Sequence, residues 1–220
     1  MKVFIDGENL RHRLVGVLHQ EKLIHDRDDM FQLDVRALIQ DALPETFEAI
    51  DYYTTRIKQP TFEIPEALMH KIITIQESHR RWIAMLTNQN INVIKAGNLK
   101  VHESNTCYHC GRRTMLLQEK GVDVRLASEV VMAAVHDNVT EIVVLSSDTD
   151  MIPALNIARR GGARITYLCF DEETNHALQI ATDRTITYTR ENIRSAFRGL
   201  LSKSHQPGIQ HYITGNENAN

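Results

Sequence analysis

Cysteine is scarce in this chain of 220 residues: Cys107, Cys110 and Cys169 are all it has. An odd number, two of them close together, is no secreted disulfide framework. Long apolar runs are missing as well. No stretch of 18 apolar residues exists to cross a membrane as a helix. The opening MKVFIDGENL has neither a long apolar core nor a small-residue cleavage site, so a signal peptide is not expected and a cytoplasmic setting is. Excess positive charge is also lacking, with 25 basic against 28 acidic residues and a formal net charge of −3. That excludes a protein that holds nucleic acid by bulk charge alone. It leaves room for a nuclease, in which carboxylates gather at a metal while basic residues cluster on a rim. No GxGxxG or GxxxxGK loop is present, which argues against nucleotide-cradling enzymes. A hydrophobic content of 42% is ordinary, and a chain this long buries a sizeable core without crosslinks.

Apolar periodicity alternates strands with helices along the chain. Residues 2–5 read as a buried strand that ends abruptly at Asp6-Gly7-Glu8-Asn9, and Leu10–Leu18 as the first helix. A helix over Leu33–Leu43 follows, then a strand within Phe47–Ile57. A long helix opened by Pro65 runs to about Gln89, and a strand starts at Ile91. Residues 103–121 break the pattern and read as a loop insert. Val122–Val135 is strongly helical. Glu141–Leu145 reads as a strand buried on both faces, with a helix from Met151 to Arg160. A strand over Arg164–Phe170, a short helix over Asn175–Ala181, a strand over Thr185–Tyr188 and a helix over Glu191–Leu201 complete the set. The alternation predicts one α/β domain over residues 1–201, a Rossmann-like parallel sheet with helices on both faces. The polar segment 202–220 is expected to be a disordered tail.

The acids stand at informative places. Asp6 directly follows one predicted strand, and Asp148 and Asp150 follow another. Ligands of open α/β sheets bind at the carboxyl ends of strands, so two such ends can deliver carboxylates to one pocket. Asp123 opens the helix before the second strand. Glu129 lies six residues further, about 240° around the helix, and so does not share its face. Crowded carboxylates repel one another unless cations sit between them. Mg²⁺ and Mn²⁺ prefer oxygen donors and support phosphoryl-transfer chemistry. Asp6, Asp123, Asp148 and Asp150 are therefore the expected ligands of catalytic Mg²⁺ or Mn²⁺. Asn9, Ser146 and Thr149 are placed to orient carboxylates or phosphate, and Lys120, Arg125 and Arg11 to meet substrate phosphates. Each acid taken singly also fits a helix cap or turn; the joint pattern favours the site.

Four stretches, VFIDGENL, EKGVDVRLASEVV, IVVLSSDTDMIPAL and GGARITYL, occur in this order. They closely resemble the NYN domains, including LabA-like proteins, a family related to PIN nucleases. The resemblance implies a PIN-like fold and metal-dependent ribonuclease activity on RNA. It matches Asp6 and Asn9 to the family's first-strand acid and asparagine, Asp123 to the KGVDV acid, and Asp148 and Asp150 to the S-x-D-x-D turn. Ser147 stands where the family has glycine and Met151 where it has phenylalanine, and both leave the carboxylates in place. A phosphatase would want an Asp-x-Asp pair after the first strand, which Asp6-Gly7-Glu8 is not. A non-catalytic RNA-binding module with the same fold is the alternative; it would bind RNA without needing the carboxylates. The Cys107-x-x-Cys110 pair, with His102 as third ligand, forms part of a possible structural zinc site. A fourth ligand from a second chain would make that ion a dimer clip and the protein a homo-oligomer.

Overall fold

The computed structural model describes residues 1–204 except Asp26, Asn105, Cys107 and Arg112. Seven strands form one sheet: β1 (Lys2–Asp6), β2 (Ala49–Arg56), β3 (Asn92–Glu103), β4 (Met115–Lys120), β5 (Glu141–Leu145), β6 (Arg164–Phe170) and β7 (Arg184–Tyr188). Seven helices connect or follow them: α1 (Gly7–Gln20), α2 (Val35–Ala42), α3 (Glu66–Asn88), α4 (Val122–Val135), α5 (Ile152–Arg160), α6 (His176–Ala181) and α7 (Arg190–Ser204). The strand order is β4-β3-β2-β1-β5-β6-β7. Every neighbouring pair is parallel except β3 with β4, which is antiparallel.

Alternation along the strands divides the core in two. Val3 and Ile5 point to a layer built with Leu10 and Leu14 of α1, Leu38 of α2, Trp82 and Leu86 of α3, and Phe197 of α7. Phe4 and Tyr53 point to the opposite layer, with Leu126 and Val130 of α4, Leu155 of α5 and Leu178 of α6. Central parallel strands buried on both faces need apolar residues at consecutive positions, which is why VFI and IVVL carry no alternation. Trp82 is wholly buried, as core packing requires, and Cys169 is a buried free thiol.

The segment expected as a loop insert holds a strand. Residues 115–120 pair with β3 from Asn98↔Lys120 to Glu103↔Met115, and make an edge strand whose side chains are half-buried and exposed in turn. Its apolar residues, Met115, Leu116 and Leu117, are bunched rather than alternating and so do not signal a strand alone; the long β3 beside it supplies the partner. Gly121, at φ 92°, then turns the chain from β4 into α4, a conformation other residues adopt only at a cost. No helix among the described residues is long and apolar enough to cross a membrane.

Candidate metal and RNA site at the sheet switch point

From β1 the chain builds outward through β2, β3 and β4, then returns to place β5 on the other side of β1. The β1–β5 gap is thus the switch point of the sheet, where the crevice of a doubly wound fold opens. Asp6 ends β1 there and Ser146–Asp150 follow β5.

Asp6 is 8% exposed and caps α1. One carboxylate oxygen accepts from the Asn9 backbone N–H at 3.1 Å, and the other accepts from the Ser146 hydroxyl at 3.2 Å. Ser146 Oγ in turn accepts from the Asp148 N–H at 3.1 Å, and the Asp148 carboxylate accepts from the Asp150 N–H at 2.9 Å. This chain of bonds ties the β1 turn to the β5 turn. The Asn9 amide reinforces it by donating to the Ser147 hydroxyl, and the Asn175 side chain reaches the Ser147 carbonyl at 3.3 Å. Asn9 and Ser146 therefore link the Asp6 and Asp148 turns through hydrogen bonds.

Local packing holds the Asp6 turn still. Trp82 Nε1 donates to the Tyr52 hydroxyl at 2.9 Å, which donates to the Gly7 carbonyl at 2.7 Å. A Cβ on Gly7 would lie 2.5 Å from the Tyr52 ring and also press on the Tyr53 carbonyl. Only glycine lets α1 start this close to β2.

The electrostatics show which acids share the site. Burial pushes the Asp6 carboxyl above its ordinary range, the Asn9 and Ser146 bonds oppose this, and the charges of Asp123 and Asp148 push it further up. Asp123, an exposed side chain in the first turn of α4, is also raised, by partial desolvation and then by Asp148 and Asp150. Glu119 on β4 is pushed up to about 7 by desolvation and by the charges of Glu8, Asp6 and Asp123. Asp6 thus lies in the field of Asp123 and Asp148, Asp123 in that of Asp148 and Asp150, and Glu119 in that of Glu8, Asp6 and Asp123. Glu119 carries no signal of its own in the sequence, because nothing in residues 103–121 marks the strand that places it.

Other expected residues go elsewhere. Arg125 pairs with Glu129, and Glu129 also accepts from the Tyr53 hydroxyl. Glu129 thus has two partners of its own, Arg125 and Tyr53. Arg11 donates to Ser78 of α3 at 3.1 Å and stands 3.9 Å from Glu8. Lys120 is exposed at the end of β4, and Thr149 opens a short 3₁₀ turn after β5. His102 lies exposed on β3, and Cys110 is an exposed free cysteine in the turn toward β4. Their partner in the zinc reading, Cys107, lies outside the described residues.

The comparison with protein families decides the kinship: the NYN domain model matches residues 1–189. The chain belongs to the NYN domain family. NYN domains are a PIN-like nuclease family, in accord with the α/β architecture. No curated protein matches this NYN chain. A solved structure of a protein of unknown function from Vibrio parahaemolyticus is similar over 84% of this chain and 90% of its own, at 12% identity and a TM-score of 0.47.

The donor set of this NYN site suits a hard divalent cation. All its candidate ligands are carboxylate oxygens, and their mutual repulsion is what a cation would relieve. As they stand, no three acid, histidine or cysteine side chains among the described residues form a closed metal cage. The carboxylates of Asp6 and Asp148 are pinned by hydrogen bonds, whereas those of Asp123 and Asp150 are exposed and accept none among the described residues.

Proposed function

We propose that this NYN domain is a ribonuclease that depends on a divalent cation and hydrolyses internal phosphodiester bonds of single-stranded RNA at the β1–β5 crevice. The observation that carries this reading is the meeting of carboxylates at the switch point, where a buried Asp6, bonded by Asn9 and Ser146, is tied through Ser146 to Asp148, and where burial first, then the charges of Asp123 and Asp148, raise its carboxyl. Asp6, Asp148, Asp150 and Asp123 are the proposed ligands. When bound, Mg²⁺ or Mn²⁺ would supply activation of water and charge neutralisation at phosphorus. The protein's own residues do the positioning. Asn9 and Ser146 hold Asp6 in one orientation, which lowers the cost of ordering it during the reaction. The Asp148 side chain shapes the turn that presents Asp150. Lys120, exposed beside this cluster, is the proposed phosphate contact at its rim.

Incubation of the pure protein with end-labelled single-stranded RNA tests the proposal. Cleavage is expected with Mn²⁺ or Mg²⁺ and none with EDTA. RNA binding that persists without any cleavage, and that ignores Asp6→Asn and Asp148→Asn, would replace it with the non-catalytic module. A separate structural zinc ion at the β3–β4 turn, held by Cys107, Cys110 and His102, is a further proposal, tested below.

A further inference from the structure

Two cavities beside the acid cluster are not used by it. The first, of about 420 Å³, is lined by Glu8 and Arg11 of α1, Ile75 and Ser78 of α3, and Glu119 of β4. The second, of about 340 Å³, lies next along α3 and is lined by Arg56, Gln76, His79, Arg80, Ile83 and Lys95. Thr55 and Ile57 line both, so the two cavities adjoin along α3. The first meets the carboxylates through Glu8 and Glu119, and the second is basic.

The second cavity has three exposed cations, Arg56, Arg80 and Lys95. Among the described residues, none of the three meets a carboxylate within ion-pair distance. Beneath them His79 and Thr55 are 6% and 3% exposed. The Nε2 of His79 and the Oγ1 of Thr55 have no hydrogen-bond partner among the described residues. Buried polar atoms are seldom left unpaired, because each forfeits its hydrogen bond to water. His79 bonds the backbone of Thr55 through its other ring nitrogen, and burial keeps the ring neutral near pH 7. The proton is therefore on that other nitrogen, and Nε2 is an acceptor. A bulge in the β2–β3 pairing, between Thr54 and Thr55, lies at this spot. Bulges re-aim side chains and recur next to binding sites.

We propose that the Arg56–Arg80–Lys95 cavity is a sugar–phosphate subsite that holds the RNA strand leading to the acid cluster. The inference rests on the reading of that cluster as the place where RNA is cut. The cations take one or two backbone phosphates. Thr55 and His79 take a ribose 2′-hydroxyl, a group that donates to Nε2 and exchanges a bond with the threonine hydroxyl. That hydroxyl is what distinguishes RNA from DNA at a given site. Reaching the two atoms requires the rim side chains to part as the strand settles.

Fluorescence anisotropy with a labelled 12-nucleotide oligouridylate, measured in EDTA so that the strand stays intact, tests the subsite. Arg80→Ala combined with Lys95→Ala is expected to weaken binding about tenfold and to flatten the slope of log Kd against log salt by about 1.4, two phosphates at about 0.7 each for single strands. Arg160→Ala combined with Arg164→Ala, two charges at the opposite edge of the sheet, controls for net charge and should leave both readings within about twofold. Equal effects of the two pairs would overturn the proposal. Thr55→Val keeps the shape of the side chain, and His79→Gln keeps a polar one; melting curves confirm that each is folded. Both should narrow the preference for the ribo- over the deoxyribo-oligonucleotide. An unchanged ratio in both folded variants would sink the 2′-hydroxyl assignment. Binding that responds as expected in a protein that cuts no RNA with Mn²⁺ upholds the subsite and rejects the nuclease reading; cleavage by a protein whose binding ignores Arg80 and Lys95 does the reverse.

Discussion

Asp6 holds two positions at once: it caps α1 through the Asn9 N–H and it is the most buried acid of the proposed site. Asparagine caps a helix as well as aspartate does, so Asp6→Asn separates the two roles. In EDTA at pH 7.5 the melting temperature of Asp6→Asn is expected to match or exceed that of the wild type, because a repelled charge is removed and the cap retained. RNA cleavage with Mn²⁺ should fall at least about 100-fold, and likewise for Asp148→Asn. Cleavage at the wild-type rate by both variants would remove the acids from the site. His79 offers a second test at this scale, through stability. Its ordinary pKa of 6.5 is pushed down to about 4 by burial, with the charge of Arg11 adding to the effect. The sign follows from which state protonates first. As pH falls below 6.5 the unfolded chain takes up the proton while the fold refuses it, so stability declines down to about pH 4 and no further. The total contribution is at most about 3 kcal/mol. Wild type should therefore lose more stability than His79→Gln between pH 7 and pH 5, read as the difference in their urea midpoints. Parallel losses would show that His79 titrates normally.

At the scale of elements, the start of α1 depends on its contact with β2. Gly7 sits under the Tyr52 ring and the Tyr53 carbonyl, and a backbone atom cannot swing aside as a flexible side chain can. Gly7→Ala should cost about 2 kcal/mol or more, seen as a melting temperature lower by roughly 5 °C. It should also reduce cleavage, since Asp6 is the preceding residue; a variant that melts like wild type would show that the helix end shifts freely. The β3–β4 hairpin is the other element with a test. Its turn carries Cys110 and the exposed Tyr108, little apolar material to order it, and His102 on the strand before it. A metal would supply order that packing does not. Protein purified without added metal is expected to contain close to one zinc per chain, lost in Cys107→Ser. Elemental analysis finding far less than half an equivalent, unchanged by that substitution, would leave two free thiols in the turn.

For the whole molecule, the sequence was most legible where one signal sufficed. Unbroken apolar runs at β1 and β5 marked central strands, and the acids at their carboxyl ends marked the crevice: Asp6 closes VFI directly, and Asp148 and Asp150 follow IVVL after two serines. The helix over Val122–Val135 was legible to the residue, since apolar side chains recur through it and a glycine precedes it. What could not be read were features created by contact between distant segments. β4 exists because β3 extends beside it, and Glu119 enters the acid field only because β4 does. Arg11 looked free in the sequence and is engaged by Ser78, 67 residues away on α3; the Arg125–Glu129 pair, one turn apart on α4, is by contrast spacing that the sequence itself displays. The carboxyl end shows the same limit. The last helix was expected to stop at Leu201 and runs to Ser204, while residues 205–220, most of the expected tail, lie outside those described. Their composition still supports an expectation. Ile209, Tyr212 and Ile213 are the large apolar residues of that segment. Even full burial would return only about 2 kcal/mol for each, against about 1 kcal/mol or more to order each of its residues. Ending the chain at Ser204 should thus leave the melting temperature within about 2 °C of wild type and the elution volume on gel filtration consistent with the lost mass alone. A larger drop in melting temperature, or a change of oligomeric state, would show that these residues pack on the domain or on a second copy of it.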